Sequence, residues 1–233
     1  MKANNLKSVW EDSYKNRDNF VFYPHEEVIR FISKNIRKRI GPNDFIDVVN
    51  DPGNKPIIDL GCGIGRHVMY CHEMGLPIYG VDLSKTAIDA AKEWARSCGT
   101  KDLASRVVQS DARNLPWADN FFHYAVSHGT LDSMPFDLAR DVSIELNRII
   151  CPGGLFYCDL ISGDDSHHSR EFCGEEIVST LHEKNTVQLF FNFQLILKLF
   201  DGLFNIVDCH LIRKEDILRG SYIARYHLVL KKK

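Results

Sequence analysis

None of the seven cysteines, at positions 62, 71, 98, 151, 158, 173 and 209, forms a C-x-x-C pair, and their number is odd. Neither a zinc-type spacing nor a disulfide frame is therefore encoded. Several of them sit among apolar neighbours as small hydrophobes, which points to a reducing compartment, the cytoplasm. No apolar run reaches the length of a membrane span, and Glu11, Asp12 and Lys15 close behind Trp10 do not make a signal peptide. Charge of either sign is not in excess: 29 basic and 31 acidic residues leave a formal net charge of -2. A broad positive field for a long nucleic acid is thus missing, and the basic end Lys231 to Lys233 is a solvated tail. There is no internal repeat. What is present is a chain of 233 residues, a length that one α/β domain with a substantial core routinely occupies.

The most informative stretch runs from Pro56 to Arg66. Ile57, Ile58 and Leu60 form a short β-branched, apolar run that reads as a buried parallel strand, and it breaks into Gly61, Gly63 and Gly65. Residues without a Cβ let a ligand approach the backbone, and the N–H groups of the next helix point at that ligand. A purely structural glycine turn is the competing reading. A dinucleotide fingerprint requires G-x-G-x-x-G facing a pyrophosphate. Here the order is G-x-G-x-G followed by Arg66, with Asp59 two residues upstream, where a pyrophosphate is repelled and a ligand ammonium is welcome. That favours a nucleotide bearing an amino acid.

Further motifs follow in order: Gly80-Val81-Asp82-Leu83-Ser84, Gln109-Ser110-Asp111-Ala112 and Cys151-Pro152-Gly153-Gly154. Together with Asp59-Leu60-Gly61-Cys62-Gly63-Ile64-Gly65, this series resembles the class I S-adenosylmethionine-dependent methyltransferases over about residues 55 to 161. The resemblance implies a doubly wound, seven-stranded, mostly parallel sheet of Rossmann-like type, with a C-terminal antiparallel strand pair and an N-terminal helical cap. It implies one domain over 1–233, with an N-terminal helical or lid segment at 1–55, a cofactor-binding core at 56–161 and a substrate-side loop, helix and strand pair at 162–233. It also implies S-adenosylmethionine as cofactor, held by Asp59, Gly61, Cys62, Gly63, Gly65, Asp82, Leu83, Asp111, Ala112 and Ser127. Asp82 lies about 20 residues past the glycines, where an acid accepts ribose hydroxyls; an N-cap role competes, although Ser84 can fill it. The resemblance assigns the Asp111 carboxylate to the adenine amino group and the Ala112 N–H to a ring nitrogen, against a loop acid that only organises its own turn.

Around these motifs the pattern predicts a helix from Pro24-His25-Glu26-Glu27 to Ile40, ended by Gly41-Pro42, and helices at 67–74, 85–98 and 136–150. Strands are expected at 77–81, 104–109, 121–126 and 155–161, then a polar loop at 162–184, a helix capped by Asn192, and two long strands at 203–212 and 222–230. The aromatic stretch from Val9-Trp10 to Tyr23 shows no clear periodicity and reads either as a lid over the cofactor or as a docking arm.

Methyl transfer from a sulfonium needs alignment, exclusion of water and a route for the acceptor's proton. His128, just past the fourth strand, is the candidate base, with a pocket-shaping role as the alternative. Asp132 is the weaker candidate, a helix cap or surface acid otherwise. Tyr23, His128, His167, His168 and Arg170 are the candidate acceptor contacts, the last offering a planar donor fork to an anionic acceptor unless the loop is simply solvated. The adjacent histidines lack a third ligand, so no metal is expected. In place of the Asp/Asn-Pro-Pro-aromatic tetrad of nucleic-acid amino methylation stands Ser127-His128-Gly129-Thr130, and neither a Pro-Cys nucleophile nor the double-Glu hairpin of protein arginine enzymes is evident. A small soluble metabolite, methylated on oxygen or nitrogen, is the expected acceptor, with neither nucleic acid nor membrane as partner. A non-catalytic S-adenosylmethionine-binding subunit and a nicotinamide dehydrogenase are the rival readings.

Overall fold

In the computed structural model, which describes residues 3–180 and 183–233, a seven-stranded sheet carries the architecture. Its strands are β3 (Ile57–Leu60), β4 (Ile78–Asp82), β5 (Val107–Gln109), β6 (Phe122–Ser127), β7 (Ile150–Ile161), β10 (Phe204–Asp216) and β11 (Ser221–Lys232). The spatial order is β10-β11-β7-β6-β3-β4-β5. Pairing is parallel from β7 through β6, β3 and β4 to β5, whereas β11 runs antiparallel to both β7 and β10. All four residues of β3 are buried, as expected of a central parallel strand covered on both faces.

The crossovers are α3 (Arg66–Glu73), α4 (Lys85–Ser97) with the short α5 (Lys101–Ser105), and α6 (Phe136–Ile149). Ser84 caps α4 by accepting the Ala87 N–H at 3.2 Å, and Asn192 caps α7 (Phe193–Phe200) by accepting that of Leu195 at 2.9 Å. One core cluster joins Ile58, Phe122, Phe156 and Leu228 to α6 and α7; the second joins Ile57, Ile78 and Tyr157 to α3, α4 and α2 (Glu26–Asn35). Strand order reverses between β3 and β6, which pair up to Leu60 and Ser127, so the connections leaving their carboxyl ends diverge and leave a crevice, the usual ligand position of an open α/β sheet.

Four expectations need correction. The aromatic N-terminal stretch contains a helix, α1 (Ala3–Lys15), whose Leu6, Trp10 and Tyr14 fall on one face at intervals of four. The next helix stops at Asn35, because Arg37–Arg39 (β1) pairs with Phe45–Asp47 (β2) across the Gly41-Pro42 connection and Arg37 reaches Asp47 at 2.5 Å. Residues 104 and 105, read as the start of a strand, belong to α5, so β5 is only three residues long. The polar loop at 162–184 contains β8 (Gly174–Ile177), which pairs with β9 (Val187–Phe190). Among the described residues no helix is long and apolar enough to cross a membrane.

Candidate active site

The carboxyl ends of β3, β4, β5 and β6 open into one cavity of about 420 Å³. Its floor is the glycine loop, where Gly61 and Gly63 take positive φ angles of 70° and 55°. A methyl group on Gly61 would collide with the Thr130 side chain, and one on Gly63 would lie 2.7 Å from the Tyr14 hydroxyl. Neither position therefore accommodates a side chain, and the loop lines the cavity with backbone. Cys62, Leu83 and Ala112 share this wall, as their motif positions suggest.

Asp82 stands at the tip of β4 with Oδ2 accepting the Gly63 N–H at 2.9 Å and Oδ1 accepting that of Ser84 at 2.8 Å. Each oxygen keeps a further lone pair for a ligand hydroxyl. Burial pushes this carboxyl up to about 6, against the opposing backbone hydrogen bonds. Asp111 lines the same wall but is engaged: its Oδ1 accepts the Arg113 N–H at 3.0 Å and its Oδ2 accepts from Arg113 Nη2 at 2.7 Å. Those bonds to Arg113 hold it below the ordinary carboxylate range in spite of partial burial. The turn-organising role that competed for Asp111 is thus present, alongside its place on the cavity.

The roof is α1. Leu6, Trp10 and Tyr14 face the cavity, and Glu11 fixes the helix to the start of α4 by accepting from the Ser84 hydroxyl at 2.8 Å, the Thr86 hydroxyl at 2.5 Å and the Thr86 N–H at 3.3 Å. Burial works against ionised Glu11, yet these bonds win and lower its pKa.

At the far end, His128, Gly129, Thr130 and Asp132 follow β6. His128 Nδ1 lies 3.0 Å from Arg66 Nη2, and since a guanidinium only donates, Nδ1 accepts and the ring proton resides on Nε2, which faces Asp159 Oδ2 at 3.4 Å. Burial pushes the imidazole down to about 2; Asp159 resists this, while His25, Arg66 and Arg225 add to it. The ring is neutral and its lone pair is occupied, so the expected base is poorly suited to take a proton. Asp132 is neither a helix cap nor a surface acid: it is 1% exposed, and its Oδ2 accepts the Ile161 N–H at 2.9 Å and Arg225 Nη2 at 2.5 Å. Arg225 also donates through Nε to Asp159 Oδ2 at 2.7 Å, and the Gly129 N–H reaches Asp159 Oδ1 at 2.7 Å. With two buried acids around one guanidinium, Asp159 is driven down by Arg225 and His128 despite its burial, and Asp132 is driven up by burial and by Asp159 despite Arg225.

Several candidates lie off the cavity wall. Asp59 is buried on β3 with neither carboxylate oxygen hydrogen-bonded; its Oδ1 sits 3.6 Å from His67 Nδ1, and His67 Nε2 accepts the His25 N–H at 3.2 Å. Ser127 is buried with its hydroxyl unpartnered, and Gly65 packs under α3 against Ala91. Tyr23 is 83% exposed. His167 and His168 lie in the loop after β7; His168 bonds to Asp165 at 3.0 Å and Glu176 at 3.1 Å and stacks on Phe172. Arg170 borders a separate surface depression beside Phe193 and Tyr226. The structure instead brings Glu11, His25, Arg66, Gln188 and Arg225 to the site, and of these only Arg66 stood next to a motif. Among the described residues no cluster of three or more His, Cys, Asp or Glu is arranged to hold a metal.

The glycine cradle, the available lone pairs of Asp82 and the polar turn at Ser110–Asp111 fit the amino acid, ribose and base of an adenosyl amino acid. Residues 58–158 match the family model described as methyltransferase domain. A sterol 4-C-methyltransferase of Caenorhabditis elegans is 27% identical over 147 residues, covering 58% of this chain and 42% of that protein. A malonyl-[acyl-carrier protein] O-methyltransferase of Pectobacterium atrosepticum is 30% identical over 118 residues, covering 49% of this chain and 42% of that one. The chain thus spans about two fifths of the length of each of these relatives. In structure, the 1,6-didemethyltoxoflavin-N1-methyltransferase of Burkholderia thailandensis, with bound 1,6-didemethyltoxoflavin and S-adenosylhomocysteine, superposes with a TM-score of 0.70 at 17% identity, over 99% of this chain and 88% of that one. Residues 58–158 thus match a methyltransferase domain model, and the fold built around them is the one seen in the S-adenosylhomocysteine-bound N1-methyltransferase.

Proposed function

We propose that this chain transfers a methyl group from S-adenosylmethionine to a small-molecule acceptor. The observation that carries the reading is the glycine loop at the tip of β3, where Gly61 and Gly63 expose their backbone to the cavity beside the partly unused carboxylate of Asp82. In this reading Gly61, Cys62 and Gly63 receive the amino-acid end, Asp82 and Leu83 the ribose, and Asp111 and Ala112 the adenine. Asp59 acts one shell back, orienting His67, which in turn fixes the chain at His25. Residues 1–55 serve as cap, 56–161 as cofactor core and 162–233 as acceptor side.

S-adenosylmethionine supplies, when bound, a methyl group on a positively charged sulfur, so the protein's task is alignment and the exclusion of water. The roof of α1 over a cavity of about 420 Å³ suits small molecules. The relatives' names place methyl groups on carbon, oxygen and nitrogen, so likeness does not choose the atom; an oxygen or nitrogen nucleophile is our reading. The anion site is placed at Arg66 in preference to Arg170, because Arg66 lines the cavity and donates to His128. It suits the carboxylate of the donor or of an acidic acceptor.

Calorimetry with S-adenosylmethionine, S-adenosylhomocysteine and a nicotinamide dinucleotide tests the reading, with heat expected from the first two alone. Incorporation of labelled methyl into a metabolite mixture then separates an enzyme from a binding subunit. Heat from the nicotinamide dinucleotide alone overturns the proposal.

A further inference from the structure

Of the acids at the far end of the cavity, one keeps an oxygen that the fold leaves without a donor. Asp132 is 1% exposed and lines the cavity; its Oδ2 is occupied by the Ile161 N–H and Arg225, and its Oδ1 has no hydrogen-bond partner. Its neighbours are spent: both oxygens of Asp159 are taken by Gly129 and Arg225, and the His128 lone pair is taken by Arg66. A buried carboxylate oxygen without a donor is unfavourable, and a ligand O–H or N–H relieves it.

We propose that Asp132 Oδ1 receives the hydrogen bond of the acceptor's O–H or N–H and takes that proton as the methyl group moves, an inference that rests on the methyltransferase reading. The acceptor's oxygen or nitrogen forms its bond to the methyl carbon while the methyl–sulfur bond breaks. That bond's electron pair stays on sulfur, the sulfonium becomes a neutral thioether, and the proton passes to the Asp132 carboxylate to give a carboxylic acid. The surroundings suit a carboxylate asked to hold a proton. Arg225 approaches from β11, Asp159 and the Ile161 amide from β7, Gln188 from β9, Arg66 from α3, and His128 from the same loop, with Glu183 also on the cavity wall. Burial raises the proton affinity of Asp132, Arg225 opposes it and Asp159 adds to it. Arg225 also fixes the carboxylate's orientation by holding Oδ2, which leaves Oδ1 as the oxygen without a partner.

The test needs no identified acceptor. The full chain is titrated calorimetrically with S-adenosylmethionine and, separately, with S-adenosylhomocysteine, each in buffers of different ionisation enthalpy, which counts the protons exchanged. The two ligands differ by the sulfonium methyl, a cation that a carboxylate beside the reacting carbon senses. Across about pH 4 to 8, binding of the methylated ligand is expected to release at least about 0.3 proton more than its product at the midpoint of Asp132. Asp132→Asn is expected to abolish that difference and His128→Gln to keep it. A difference that survives in Asp132→Asn overturns the inference. So does its absence from the wild-type protein, a measurement that decides alone if the variant does not fold. No heat from either ligand overturns the methyltransferase reading and this inference together, whereas equal proton counts with heat from both overturn this inference only.

Discussion

At the residue scale, Asp82 and His128 show how burial sorts two titratable groups into different tasks. The Asp82 carboxyl is raised to about 6 by burial, so it is charged at pH 7 and neutral at pH 5. In the proposed reading, charge-assisted bonds from Asp82 to ribose hydroxyls are expected to strengthen as pH rises through about 6 and to weaken below it. Asp82→Ala is expected to weaken S-adenosylhomocysteine binding by about 1.5 kcal/mol or more, roughly tenfold, as read by calorimetry at pH 7. The same titration at pH 5 should narrow the gap between wild type and variant. His128 is pushed the other way, to about 2, and keeps one charge state across the physiological range. His128→Gln is accordingly expected to lower turnover through lost positioning, by about tenfold, while the pH–rate profile keeps its shape. Asp82 was legible because a strand tip and a glycine loop fix its place along the chain. The His128 environment was not, since its determinants, Arg66, Asp159 and Arg225, lie 62, 31 and 97 positions away.

At the element scale, α1 and the loop after β7 hold structure that local periodicity did not reveal. The four-residue interval of Leu6, Trp10 and Tyr14 was a helical signal, masked by the irregular aromatics that follow it to Tyr23. Nothing local marked Glu11 as the anchor, because its partners Ser84 and Thr86 belong to α4. With a lowered folded-state pKa, ionised Glu11 favours docking above the ordinary glutamate pKa, and that contribution is lost as pH falls through the folded value. Glu11→Ala is expected to speed amide exchange in α1 at least about tenfold, read by hydrogen exchange and mass spectrometry at pH 7. Ligand dissociation should quicken alongside it. The loop carrying His167, His168 and Arg170 had the right chemistry for an anion site. Pairing of β8 with β9 and the hold of Asp165 on His168 keep it off the cavity wall.

At the scale of the whole molecule, the doubly wound, mostly parallel sheet was legible, because three motifs mark the tips of β3, β4 and β5 and a fourth marks the start of β7. The long strands β10 and β11 were placed correctly from their alternating apolar residues, yet their bearing on the site was invisible. Arg225 on β11 neutralises acids contributed by the loop after β6 and by β7. Removing it leaves Asp132 and Asp159 buried around no cation. Arg225→Met is expected to destabilise the fold by about 3 kcal/mol, the lower end for a broken buried pair, or roughly 6–12 °C in melting temperature for a chain of this size. Scanning calorimetry checks this, and acid conditions that protonate both carboxylates should shrink the deficit.

Through Glu11 the wall that α1 gives to the cavity is tied to the first turn of α4, so an enclosed ligand and the docking of that helix are expected to slow each other's release.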